Sequence, residues 1–504
     1  MRRTWIAAIG LLMVATAPAC KKNPKQDPGP GNPPANGTRT QLSLDSLYLY
    51  AKETYLWYDA LPDYTTFNPR SFAGSDDFTS LQNELFKITQ YKINPETGKP
   101  YEYTGGSSAK FSFMEKGNAA QGIQGAVDLE GKGNDLGIGV FIVGGTRVFI
   151  RLVEKGSPAY LAGLTRGCEI TKFNGAAVTP TSAAVNAALN SSSLTITYKT
   201  VGGLEERSVQ LTKAAYTNDP VYIWKTFTSG TNITGYINLG RFSRKSVAQP
   251  SLQQAFSEFA AAGVNNLVID LRYNGGGYVE TFEYLANLIG PASLTGQVMY
   301  KEIFNNLLRE GRAPILKTIP LMGADGKQRT DGSGNPLTYA NVNFSIAGNT
   351  KKFQKEGSLG AIKNVVFIVT GSSASASELT INSLKPYMTV KLIGDTTYGK
   401  PVGFFGIGID KYTAYMSQFN SVNSLDQGDY YAGFKPDYPA ADDYRYDFGD
   451  KREVCLGKAL AFINTGIVSP DPQVNFRLSE EVSRAISVGG EGFNGMVEDR
   501  RVLK

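Results

Sequence analysis

Histidine is absent from all 504 residues of this chain. Its absence removes every Ser-His-Asp arrangement and every zinc or iron site built on imidazole. Cysteine is almost as scarce, with Cys20, Cys168 and Cys455 the only three, and none sits in a CxxC or other metal-ligand spacing. Once Cys20 is set aside, Cys168 and Cys455 remain, and the sequence leaves open whether they pair. An excess of one charge is missing too. The net charge is +6, but residues 1–27 hold five of the 51 Lys/Arg and one of the 45 Asp/Glu, leaving 46 basic against 44 acidic residues, or +2. A body so nearly neutral lacks the electrostatic footprint of a nucleic-acid binder. Long apolar runs are confined to TWIAAIGLLMVATA near the N-terminus, which is short for a membrane span. What is present, 41% hydrophobic and 19% charged residues, suits a soluble globular protein with room for several cored domains.

Arg2 and Arg3, the apolar run after them and the small residues of APAC make the three parts of a secretory signal over residues 1–20. With Cys20 at the cut, the pattern resembles a bacterial lipoprotein signal. The alternative is a simple signal peptide with an incidental cysteine. The resemblance implies a lipid on Cys20 and a place in the cell envelope, anchored to a bacterial membrane on its periplasmic side or at the cell surface. Residues 21–42, rich in Pro, Gly and Asn, are expected to be a disordered tether.

Beyond the tether, residues 43–122 open with Leu44, Leu47, Tyr48, Ala51, Tyr55 and Tyr58 at helical intervals, which predicts a small N-terminal helical domain. Residues 123–216 are β-rich, with short strands around a Gly/Pro-punctuated helix. Here LGIGV (136–140) with GSPAYLAGLTRGCEITKFNG (156–175) resembles a bacterial PDZ domain, although Cys168 stands where such domains usually carry Asp. The resemblance implies that Leu136, Gly137, Ile138 and Gly139 hold a peptide's C-terminal carboxylate while the peptide adds as a strand. From 217 to 470 continuous apolar strands alternate with helices, the pattern of an α/β core whose mostly parallel sheet is covered by flanking helices. Within it, residues 291–362 read as loops or an excursion that could flap over a cleft. Residues 471–504 read as an extended tail with one short helix.

Chemistry centres on GSSASASELT (371–380), four serines in six positions between a buried strand and a helix. Ligands of open α/β sheets bind at the carboxyl ends of strands, and a helix N-terminus there offers N–H groups to an oxyanion. The same residues also satisfy the S-x-x-E capping box through Ser375 and Glu378, which needs no catalysis. Without histidine, the base for a serine has to be a carboxylate, a terminal amine or a lysine whose pKa burial lowers. Lys400 in TTYGKPVG is a candidate, although a lysine at a strand end is ordinarily a solvated surface charge.

Together, DLRYNGGG, GSSASASE and TYGK, following the PDZ-like region, resemble the C-terminal processing (tail-specific) serine peptidases over roughly residues 123–465. In that family the nucleophile is the second serine of SASASE and the base is a lysine 25 positions later. Carried over, the resemblance implies Ser375 as nucleophile and Lys400 as base, with Ser372, Ser373 and Ser377 in turn or capping roles. It implies an oxyanion hole from the N–H groups of Ala376 and a glycine of 275–277, with Gly276 favoured. Many members place a glutamine four residues after the lysine; this chain has Phe404. No metal or cofactor is implied. The partners implied are unfolded or flexible protein or peptide substrates with free C-termini. The alternatives are a catalytically weak or inactive peptidase-like binding lipoprotein and, more distantly, a surface lipoprotein whose aromatics line a carbohydrate or lipid cleft.

Overall fold

The computed structural model describes residues 33–117, 128, 130–323, 327–468, 480–482, 484–490, 495–497 and 500–504. The expected signal, Cys20, much of the tether and residues 471–479 therefore lie outside the described residues. No described helix is long and apolar enough to cross a membrane.

The frame is a six-stranded sheet in the order Val221–Ser229, Asn232–Leu239, Asn266–Asp270, Asn364–Val369, Thr389–Gly394, Tyr438–Pro439. Its first pair is antiparallel and the rest are parallel. Strand pleating explains why the apolar runs are continuous. Val365, Phe367 and Val369 enter the large core beneath helices Lys245–Ala261, Val279–Ile289 and Ala376–Leu384. Val366 and Ile368 point to the other face, against Leu456, Ala459 and Ile463 of helix Val454–Thr465.

An antiparallel sheet contains Ile138–Val143, Arg147–Val153, Glu169–Phe173, Ser193–Lys199 and Glu206–Thr212 around a core of its own. Residues Ile486–Val488 add to its outer strand. Cys168 and Cys455 are both buried free thiols, so they do not pair in this structure.

Three elements differ from expectation. The first helix runs Arg39–Thr54, starting inside the expected tether. A capping box sets its start: Gln41 N–H donates to Thr38 Oγ1 and the Thr38 N–H donates to Gln41 Oε1. Leu44, Leu47 and Tyr48 of this helix join the same core as the central sheet. Second, the 291–362 stretch carries strand Val298–Phe304, which pairs antiparallel with both Thr350–Lys352 and Phe419–Val422. Met299, Tyr300 and Phe304 are buried in the main core, so this part is packed structure and not a flap. Third, the described parts of the tail include strands Ile486–Val488 and Gly495–Val497.

A buried ion cluster joins the two larger sheets. Arg272, after strand Asn266–Asp270, donates to Asp270 and Asp442 and pairs with Glu453 at 2.6–2.9 Å. Arg166, from the antiparallel sheet's side, donates to the same Asp442 oxygen at 2.6 Å. Burial works against each charge, and the partners more than offset it, so both guanidinium pKa values lie above the ordinary range. Arg272→Ala leaves three carboxylates short of a buried partner. It is expected to lower unfolding stability by about 3–5 kcal/mol in denaturant melts followed by circular dichroism.

Candidate active site

The serine loop hangs on the loop that follows Asn266–Asp270. Ala374 N–H donates to Asn274 O at 3.0 Å, Ser373 Oγ to Leu271 O at 2.8 Å, and Ser377 Oγ to Asn274 O at 2.9 Å. Ser372 is exposed. The fourth serine differs from the rest. Ser375 is fully buried, and its Oγ, set toward the Glu378 N–H in a capping-box arrangement, makes no hydrogen bond of regular geometry among the described residues. Its backbone lies at φ 60°, ψ −111°, a region that costs a non-glycine residue about 1–3 kcal/mol. A strained, buried, poorly bonded hydroxyl at a strand-to-helix turn is costly as structure and suited to a nucleophile. Ala376 is the first residue of the helix, where N–H groups lack intrahelical acceptors.

Glu378 does reach back to the Ser375 N–H, at 2.9 Å from Oε2, as the capping reading expects. The same oxygen also accepts from the Lys400 N–H at 2.8 Å. Oε1 accepts from Gly399 N–H at 2.7 Å and Thr397 Oγ1 at 2.5 Å. One fully buried carboxylate thus holds both main chains. Burial pushes its pKa up, and the four donors pull against that shift.

Lys400 is 1% exposed, contrary to the surface-charge alternative. Its Nζ donates to Phe111 O at 3.4 Å and lies 4.7 Å from the centre of the Phe404 ring. The ring face attracts an ammonium weakly but excludes water from it. Exclusion wins: burial lowers the Lys400 pKa to about 7, against the opposing pull of Glu102 and Glu378. Glu102 was not singled out in the sequence. It is held by nearby Ser112 and by Tyr55 and Ser417 from two distant segments, and no local spacing announces such a meeting.

Gly276 lies directly against the serine. A Cβ placed on it would stand 2.9 Å from Ser375 Cβ, and its φ of 108° suits only glycine. Its N–H donates to Asn274 Oδ1 at 3.0 Å in this structure. Leu136, Gly137, Ile138 and Gly139 belong instead to the antiparallel sheet. Leu136 O accepts from Ala159 N–H, Gly137 N–H donates to Asp135 Oδ1, and Ile138 and Gly139 begin the outer long strand.

Replacing Ser375 by glycine removes both the backbone strain and the poorly bonded hydroxyl, at the cost of a more flexible unfolded chain. Ser375→Gly is expected to raise unfolding stability by about 1 kcal/mol in denaturant melts, whereas Ser373→Gly lowers it.

The profile of Peptidase family S41 matches residues 233–440, a segment that contains Gly276, Ser375, Ala376 and Lys400. Over 290 residues the chain is 25% identical to the chloroplastic C-terminal processing peptidase of Tetradesmus obliquus, covering 53% of this chain and 52% of that protein. The chain thus spans about half the length of that curated relative. Its fold is similar to a crystal structure assigned to an S41 protease of Bacteroides fragilis NCTC 9343. That likeness has a TM-score of 0.56 and 22% identity, and covers 84% of this chain and 98% of the other. The photosystem II D1 C-terminal processing protease aligns with 17% identity and a TM-score of 0.46, over 84% and 99% of the two chains. The match to the profile of Peptidase family S41 thus falls on the part of the chain that carries the serine and lysine turns, and the likeness to the Bacteroides fragilis structure is one of fold.

Proposed function

We propose that the chain is a lipid-anchored serine endopeptidase of the C-terminal processing type, with Ser375 as nucleophile and Lys400 as general base. One observation carries this reading: a single Glu378 oxygen holds the main chains of a strained, poorly bonded serine and of a lysine whose pKa burial brings to about 7. An unperturbed lysine would be neutral in roughly one molecule in 2,500 at pH 7, whereas a pKa near 7 makes about half of the molecules competent bases.

In the proposed reaction neutral Lys400 takes the hydroxyl proton as Ser375 Oγ bonds to the peptide carbonyl carbon. The oxyanion faces the N–H of Ala376 and of Gly276, the latter once Asn274 releases it. Collapse breaks the C–N bond, and the leaving amine takes the proton from Lys400. Water, with Lys400 again as base, then hydrolyses the ester and frees Ser375.

The PDZ-like sheet supplies capture in this reading. A free C-terminal carboxylate sits at the 136–139 loop, and the peptide pairs along Ile138–Val143, the sheet's outer long strand. Cys20, carrying the lipid, holds the enzyme to the cell envelope, so Cys20→Ser is expected to move the protein from the membrane fraction to the soluble fraction.

The test is digestion of a mixed peptide library read by mass spectrometry. Ser375→Ala, Lys400→Ala and Lys400→Arg are each expected to abolish cleavage, the last because its guanidinium stays charged. A Lys400→Ala variant that retains most activity would refute the dyad. Products absent from the wild type as well would favour the non-cleaving binding lipoprotein. Because only neutral Lys400 accepts a proton, kcat/KM is expected to rise about tenfold per pH unit below pH 7 and to level off above it.

A further inference from the structure

The same chain that offers a peptide edge and a nucleophile also fills both. Ile486–Val488 lies antiparallel on the outer long strand, with Ile486 opposite Ile142, Ser487 opposite Phe141 and Val488 opposite Val140. Tail numbers rise as strand numbers fall, so the segment runs toward the 136–139 loop. A peptide whose carboxylate is held there and which pairs antiparallel runs the same way. Val488 is buried in the sheet's own core. At the loop, Gly489 O accepts from Arg151 Nη2 at 3.0 Å, and Gly490 packs on Gly139.

The contact at the serine is separate. Gly495–Val497 pairs parallel with Gly276–Tyr278, and Gly495 N–H donates to Gly275 O at 2.9 Å. Gly495 O stands 2.5 Å from where a Gly276 Cβ would be, beside the Ser375 Cβ. Met496 is fully buried there. Farther on, Arg501 pairs with Glu302 at 3.0 Å with both side chains buried, and Asn343 N–H donates to Val502 O. Three stretches of the tail thus dock on three parts of the molecule, each by main-chain pairing or a buried ion pair.

We propose that the tail segments 486–490 and 495–497 are an intramolecular ligand: the first occupies the peptide edge of the antiparallel sheet and the second covers the Gly276–Ser375 face, so the enzyme is closed by its own C-terminal segment. Occupancy rests on the strand pairings. Only its consequence, a masked peptidase, rests on the function proposed above. An incoming peptide chain has to displace the tail, and one with a free C-terminus competes for the same edge in the same direction.

The test uses the full chain. Gly489 has φ 69°, and a Cβ on it would stand 2.8 Å from Ile138 O, so Gly489→Val should lift the tail from the edge. The milder Gly490→Ala, at φ 60° and 3.1 Å from Gly139 Cα, serves if the first variant does not fold. A fluorescent synthetic peptide with the sequence of residues 480–490 and a free C-terminus is titrated into wild type and variant, all carrying Ser375→Ala. The same pair with Ser375 intact digests the mixed peptide library. At least tenfold tighter peptide binding by the variant, with faster library cleavage, is the expected result. Tighter binding with no cleavage by either protein would keep the tail in the groove and overturn the peptidase reading. Equal binding by folded wild type and variant would overturn the proposal, whatever the cleavage rates.

Discussion

The site depends on one buried carboxylate. Glu378 sits in the first turn of the helix that starts after Ser375, and its two oxygens accept four hydrogen bonds from residues 375, 397, 399 and 400. A carboxylate taken out of water needs such partners, and here the partners are the main chains that have to stay in place. The interaction that makes Glu378 tolerable therefore also fixes the serine turn against the lysine turn. The strain at Ser375 persists because this carboxylate, together with the hydrogen bonds from Ser373, Ala374 and Ser377 to the neighbouring loop, determines the backbone around it.

A second set of charges works at larger scale. Asp442 is shared by Arg272, which fixes the start of the glycine loop, and Arg166, which belongs to the antiparallel sheet's side. Because one anion serves both guanidinium groups, neither sheet can shift independently without stranding a buried charge. The glycine loop beside Ser375 and the antiparallel sheet are in this way parts of one electrostatic unit.

Much of this was legible in the sequence, for identifiable reasons. Continuous apolar runs such as NVVFIV signal a strand buried on both faces, and the expected neighbour Thr389–Gly394 does lie beside it in parallel. The Ser375 and Lys400 positions came from a motif and its 25-residue spacing. Other features had no local signature. Glu378 looked like a helix cap, because its bonds to residues 397–400 depend on tertiary folding. Val298–Phe304 carries no clear strand signal because its apolar residues are interrupted by Lys301 and Glu302, and both of its pairing strands lie tens to more than a hundred residues away. Glu102 and the two tail strands likewise acquire their roles only through partners distant in the chain. Phe404 was the clearest departure from the family pattern, and in the structure its ring forms an apolar wall at the lysine.

Ser375 and Lys400 lie just beyond neighbouring strands of a single strand–helix–strand unit. Asn364–Val369 leads into the serine turn, the helix crosses over, and Thr389–Gly394 leads out to the lysine. Their spacing is consequently measured along a parallel ladder in which Val369 lies opposite Gly394. A slip of one residue in that ladder would carry one turn past the other by about 3.3 Å, a full strand step and more than a hydrogen bond tolerates. The separation of the serine turn from the lysine turn is thus set by strand register, so a pairing made in the sheet decides what can meet beyond its edge.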